Sequence, residues 1–204
     1  AHIIVGPYNI SLDSSKFSNK DLKILSRDLI LTNSGEGVLI NKKAAKGLAI
    51  RGYSPEDFLK LDFIKRGNFI GNPNELVDNN ISIGKNLSLD YDLNVGDKIS
   101  IMSTSGIETI VGTLPKQENY LITSIFDSGL ADFDRNIAFL NIENLENLFD
   151  LDSSTRSLEV YLKKPLNIDS TKSKIQNIFN EAFVYSWADM NSSLFSALKV
   201  ERNV

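Results

Sequence analysis

Over the opening part of the chain the apolar side chains gather in short runs separated by turn-forming residues, the pattern of strands joined by tight connections. Ile3, Ile4 and Val5 form a β-rich run within residues 2–8 that Gly6 and Pro7 end or bulge. Asn19 is placed to accept from the free amides of a helix start, and Leu22, Ile24 and Leu25 give that short helix, near 19–25, an apolar side. Three β-type runs follow at 28–32, 37–40 and 46–52, divided by Asn33, Ser34 and Gly35 and then by Lys42 and Lys43, and they read as a meander. Ser54 before Pro55 marks another helix start, so a short helix is expected over 55–60.

From 65 to 80 the pattern breaks. Gly67, Gly71, Pro73 and the asparagines 68, 72, 74, 79 and 80 favour turns over regular structure, and a domain hinge is expected here. Beyond it the pattern predicts a strand at 80–83, a helix at 84–91 and a turn at Val95, Gly96 and Asp97, then strands at 98–102, 119–126 and 136–140. Leu145, Leu148 and Phe149 share a face of a helix that starts at Asn141. A strand at 158–162, a connection from Pro165, a helix over about 169–180 and a short strand at 183–185 complete the pattern. Leu194, Phe195, Leu198 and Val200 stand mostly at helical spacing up to the last residue, and residue 1 is Ala. Both ends suit a segment taken from between two membrane spans, and equally an ordinary domain freed from a tag.

Composition narrows the classes. Among 204 residues, 42% are hydrophobic, enough for a real core. With 22 Lys plus Arg against 26 Asp plus Glu the net charge is −4, so no basic surface draws nucleic acid. No apolar run approaches the roughly 18 residues that cross a bilayer. Zero Cys excludes disulfides and thiolate zinc sites.

Candidate chemistry is sparse. His2 stands alone beside the chain start, a poor foundation for a nucleophile–base pair. Asp127, Asp132 and Asp134 form the densest carboxylate set but lack the calcium-loop spacing; they read as acidic turn residues, with a carboxylate-dependent hydrolase as the alternative. The glycines at 84 and 96 match neither phosphate-binding spacing; Gly84 reads as easing a helix start and Gly96 as a positive-φ turn residue. No cofactor and no metal is implied. One stretch, 103–116, mixes Ile107, Ile110, Val111 and Leu114 with turn residues. It is either a projecting hairpin whose apolar residues dock on a partner, or the middle strand of a meander turned at Ser105 and Gly106 and again at 112–115.

Four segments, 81–87, 93–99, 120–134 and 187–203, together resemble the periplasmic domain of LolC/LolE-type lipoprotein-releasing ABC transporter permeases. The Gly96–Asp97 turn is shared among related permeases; the Ser-Gly-x-x-x-x-Asp element at 128–134 and the Trp187 to Glu201, Arg202 and Asn203 end are more specific. The resemblance implies a mixed α+β fold of the MacB-like periplasmic core type. Residues 1–66 and 153–204 would form an α/β body next to the membrane helices, and 67–152 an inserted, mostly β subdomain with a projecting arm. It implies no bond chemistry in this domain. A separate cytoplasmic subunit would hydrolyse ATP, a second permease subunit would complete the membrane-embedded transporter, and outer-membrane lipoproteins would pass to the periplasmic carrier LolA. In LolC-type subunits the carrier is recruited by a hairpin placed where 103–115 stands here, so Ile107, Thr109, Ile110, Val111, Gly112, Leu114 and Pro115 are the implied contact residues. Ser103 replaces a proline of the proteobacterial pattern. A MacB/FtsX-type permease, serving efflux or activating a cell-wall hydrolase, is the related alternative.

Overall fold

The structure is a computed structural model describing residues 1–8, 10–41, 44–110, 112–164, 168–186 and 189. The helix expected at 192–204, the connection at Pro165, the pair Lys42 and Lys43, and Val111 lie outside them. The chain forms two compact units, Ala1–Leu31 with Ser154–Val204, and Thr32–Ser153. From sequence the divisions fall at 66/67 and 152/153. In the structure they fall at 31/32 and 153/154, because the chain from residue 33 pairs with β3 and β6, whose partners in turn lie before residue 154. The α+β class agrees with expectation.

In the first unit β1 (Ile3–Pro7) lies antiparallel between β9 (Ser157–Leu162) and β10 (Ala182–Ser186). Opposed residues of an antiparallel ladder share a face, so Ile3 with Val160, and Val5 with Leu158 and Val184, turn to one side, where all five are buried. Helices α1 (Lys20–Leu25) and α7 (Ile168–Ile178) cover that side and complete the core with Leu22 and Ile175, joined by Phe179. The Asn19 side chain accepts from the amides of Asp21 and Leu22 and so caps α1 as expected. Its apolar side is narrower than the pattern suggested: Leu22 is buried, but Ile24 is 68% exposed.

The second unit is a ring of strand pairings. β2 (Ser26–Asn41) enters it at residue 32 and pairs antiparallel with β3 (Ala44–Tyr53). From β3 the ring passes in parallel to β8 (Ile137–Asn141), antiparallel to β5 (Asn80–Gly84) and in parallel to β7 (Gly112–Phe126). β7 then pairs antiparallel with β6 (Lys98–Thr109), and β6 returns to β2 between Gly37 and Ile40. Six strands therefore close on themselves, with β4 (Phe69–Gly71) added at the far end of β7. Leu39, Ile50, Ile83, Ile101, Ile122 and Leu140 pack together with Leu145, Leu148 and Phe149 of α6 (Ile142–Phe149). A second apolar group stacks Phe126, Phe133 and Phe139 on Phe63 of α3 (Asp62–Lys65) and on Phe58 of α2 (Pro55–Phe58), which Ser54 caps.

Three expectations change here. Residues 33–35 do not turn the chain. They continue β2, and Gly35 is required because a Cβ there would lie 2.6 Å from the Phe149 ring. The stretch 65–80 is no hinge between the units, since β4 ties it to β7. Gly84 precedes α4 (Lys85–Tyr91) for reasons of space rather than flexibility: its φ is ordinary, and a Cβ would meet the Asp134 carbonyl oxygen at 2.0 Å. That oxygen belongs to α5 (Ala131–Asn136), a helix the hydrophobic pattern did not predict.

Candidate functional site

The register between β6 and β7 decides what 103–115 is. Lys98 to Met102 pair with Leu121 to Gln117; after an irregularity, Gly106 to Thr109 pair with Pro115 to Gly112. Residues 103–105 thus stand against Lys116 alone, a bulge that increases local twist and bends the strand. There is no turn at Ser105 and Gly106. The chain reverses between Thr109 and Gly112, which face each other in the ladder, and Gly112 supplies the φ of 120°. Residues 103–115 therefore form a hairpin arm, and the middle-strand reading fails on register.

The arm stands clear of the ring. The β2 pairing with β6 runs only to Ser103, and the β5 pairing with β7 begins at Leu121. Residues 106–109 and 112–115 pair with each other, so the ribbon extends roughly 20 Å past the last third-strand contact, at about 3.3 Å per residue. Its root is pinned on both sides. Thr104 Oγ1 donates to the Glu36 carbonyl at 2.9 Å, and Lys116 Nζ donates to the Asn147 carbonyl and to its Oδ1, each at 2.6 Å.

Of the expected contact residues, the structure places Ile110 at the tip, fully exposed, and Leu114 on the return strand, 57% exposed. Gly112 and Pro115 are exposed as well. Ile107 stands opposite Leu114 in the ladder and Thr109 opposite Gly112, while Val111 lies outside the described residues. Burying an exposed Ile or Leu side chain in a partner releases roughly 1.5–3 kcal/mol each before the cost of association. An arm with an apolar end and a polar, anchored root is built to present that end.

The carboxylate set has local tasks. Asp127 pairs with Lys85 at 2.8 Å and accepts from the Gly129 amide, and the Lys85 contact holds its carboxyl below the usual range. Asp134 is buried, accepts from the amide and hydroxyl of Ser128, and is pushed up by that burial. Asp132 is almost fully exposed and reaches Arg135 at 3.5 Å. Among the described residues no group of three or more His, Asp or Glu is arranged to hold a metal ion. His2 is structural in the same sense: its Nδ1 accepts from the Leu162 amide at 2.8 Å and ties the start of β1 to the end of β9.

One feature escaped the sequence. On the face of the β1 sheet away from its core, Tyr8, Phe183 and Tyr185 are exposed and touch edge to face or tilted, with Ile10 beside them. Phe183 and Tyr185 alternate with buried Val184, a period-two pattern too short to signal by itself that both faces of β10 are apolar.

No protein-family model matches the chain. It is 26% identical over 158 residues, 76% of its length, to the lipoprotein-releasing system transmembrane protein LolC of Xylella fastidiosa strain Temecula1. It is 24% identical over 179 residues, 84% of its length, to the protein of that name in Neisseria meningitidis serogroup B. The matches cover 38% and 42% of those two proteins, so the chain spans well under half the length of the curated relatives. The fold is that of the periplasmic region of MacB from Actinobacillus actinomycetemcomitans, with a TM-score of 0.51 at 9% identity over 94% of this chain and 91% of that one. The likeness is thus in sequence to LolC transmembrane proteins and in fold to the periplasmic region of MacB.

Proposed function

We propose that this chain, a MacB-like periplasmic domain similar to LolC transmembrane proteins, recruits a LolA-type lipoprotein carrier through the 103–115 arm. The single observation that carries this is the arm itself: a ribbon beyond its last third-strand contact, with Ile110 and Leu114 exposed at its end. In the full transporter the body built from both chain ends stands next to the membrane helices, and the inserted strands carry the arm. A second permease subunit and a cytoplasmic ATPase subunit complete the assembly, and outer-membrane lipoproteins are its cargo. The domain itself breaks no bond. Its work is positional: a carrier held on the arm is close to the lipoprotein when ATP hydrolysis releases it. Apolar side chains suit this contact, since a carrier for acylated proteins offers apolar surface that Ile110 and Leu114 can enter.

The test is capture of the purified carrier of the same organism by this chain, beside the variant Ile110→Asp with Leu114→Asp. Binding by the wild type that the double substitution abolishes, with an unchanged circular dichroism spectrum, supports the role. Equal binding by both removes the arm from it. A folded wild type that binds no carrier moves the reading to a MacB/FtsX-type permease handling another periplasmic partner.

A further inference from the structure

A lysine-rimmed hollow of about 320 Å³ lies on the first unit, with Ile24, Leu25 and Leu162 as its apolar lining and Lys163, Lys164 and Lys174 around it. In a chain of net charge −4 this is a local reversal of sign. Ile24 is 68% exposed, on a helix where Leu22 is fully buried and Leu25 partly so. The Lys163 amide donates to the Leu25 carbonyl and its Nζ to the Lys23 carbonyl, which fixes the rim to the end of α1.

Where this hollow sits on the sheet matters as much as its charge. Leu162 donates to His2, and Ile3 opposes Ser186, so Lys163 and Lys164 stand at the end of the sheet where β1 begins and β10 ends. The relatives are transmembrane proteins of which this chain matches 38–42%, so a bilayer is a surface that such a chain works beside. We infer that the hollow is a docking surface for an anionic phospholipid bilayer, resting on the reading of the chain as a domain of a membrane-embedded permease. The lysines meet headgroup phosphates and Ile24 enters the interfacial layer, the combination of charge and apolar area that holds proteins at membrane surfaces. The consequence is a body held at a fixed angle to the bilayer, so that the chain's attachment to its spans is not a free swivel.

Sedimentation of the 204-residue chain with vesicles tests this, using phosphatidylglycerol and phosphatidylcholine in equal parts against phosphatidylcholine alone. Binding to the anionic vesicles that weakens with added salt is expected. Each of Lys163→Gln, Lys164→Gln and Lys174→Gln should weaken it about fivefold, the usual weight of one lysine near such a surface. Ile24→Ser should weaken it at low and high salt alike, and Lys98→Gln, on β6, should leave it unchanged. Equal binding to both vesicles, no binding, or indifference to the triple lysine substitution overturns the inference. Carrier capture by that triple variant keeps the two readings apart: it should match the wild type, and loss of vesicle binding in the wild type with carrier capture intact overturns this inference alone.

Discussion

Lys116 lies 2.6 Å from both oxygens of Asn147, the backbone carbonyl and the side-chain Oδ1, and so clamps the arm's return strand to the last turn of α6. The ammonium there answers carbonyls that have no partner within the helix. Lys116→Met keeps the stem and deletes the donor. A stability loss of about 1 kcal/mol is expected, the usual net worth of such a hydrogen bond. Native-state hydrogen exchange should quicken in 106–115 and stay unchanged in β5 and β8. Unchanged exchange in the arm would mean that the bulge alone holds it.

Gly35→Ala would drive a methyl to 2.6 Å from the Phe149 ring. The ring is held in the core by Leu145 and Leu148, so the expected cost is about 1–3 kcal/mol. Phe149→Leu should recover part of it. In urea melts the double substitution should cost less than the two single losses added together; simple additivity would place the strain elsewhere.

At the edge of the first unit, Lys172 at 2.7 Å, together with the amide and hydroxyl of Ser186, pulls the Asp189 carboxyl down to about 2. A carboxyl lower in the fold than in the unfolded chain stabilises above its ordinary value of 3.8 and loses that contribution as pH falls from there toward 2. Its side chain is 40% exposed, so solvent screening holds the contribution under about 1 kcal/mol. Asp189→Asn should lower Tm at neutral pH and converge with the wild type near pH 2. A difference that persists at that pH would assign the effect to packing.

Leu114→Ser and Ile110→Ser should each shift stability by no more than about 0.5 kcal/mol, because neither side chain is buried. Thermal melts that coincide with the wild type, paired with weakened carrier capture, would separate presentation from folding. A large drop in Tm would show that the tip packs on the domain itself.

What the sequence carried was local. Asn19, Ser54 and Asn141 each cap the helix expected of them, since a cap is settled within three residues. Gly96 takes its positive φ for the same kind of reason. Asn33, Ser34 and Gly35 look like a turn and are strand, because the reason for Gly35 is a ring 114 positions away. The arm was half legible: its apolar residues were visible, but choosing a hairpin over a middle strand needed the count across the bulge, where 103–105 oppose one residue. Ring closure by β6 on β2 leaves no mark on either strand's own pattern.

The arm's two strands are not grafted onto the ring; they are the same β6 and β7 that form part of it. Ladder hydrogen bonds lie across the strands, so a tug on Ile110 along the ribbon loads the β2–β6 and β5–β7 ladders in shear, many bonds at once, rather than peeling them singly. Among the described residues, a sideways push meets the bulge, Thr104 and Lys116. The arm is therefore stiff as a tether, when pulled along its length, and compliant as a lever, when pushed from the side.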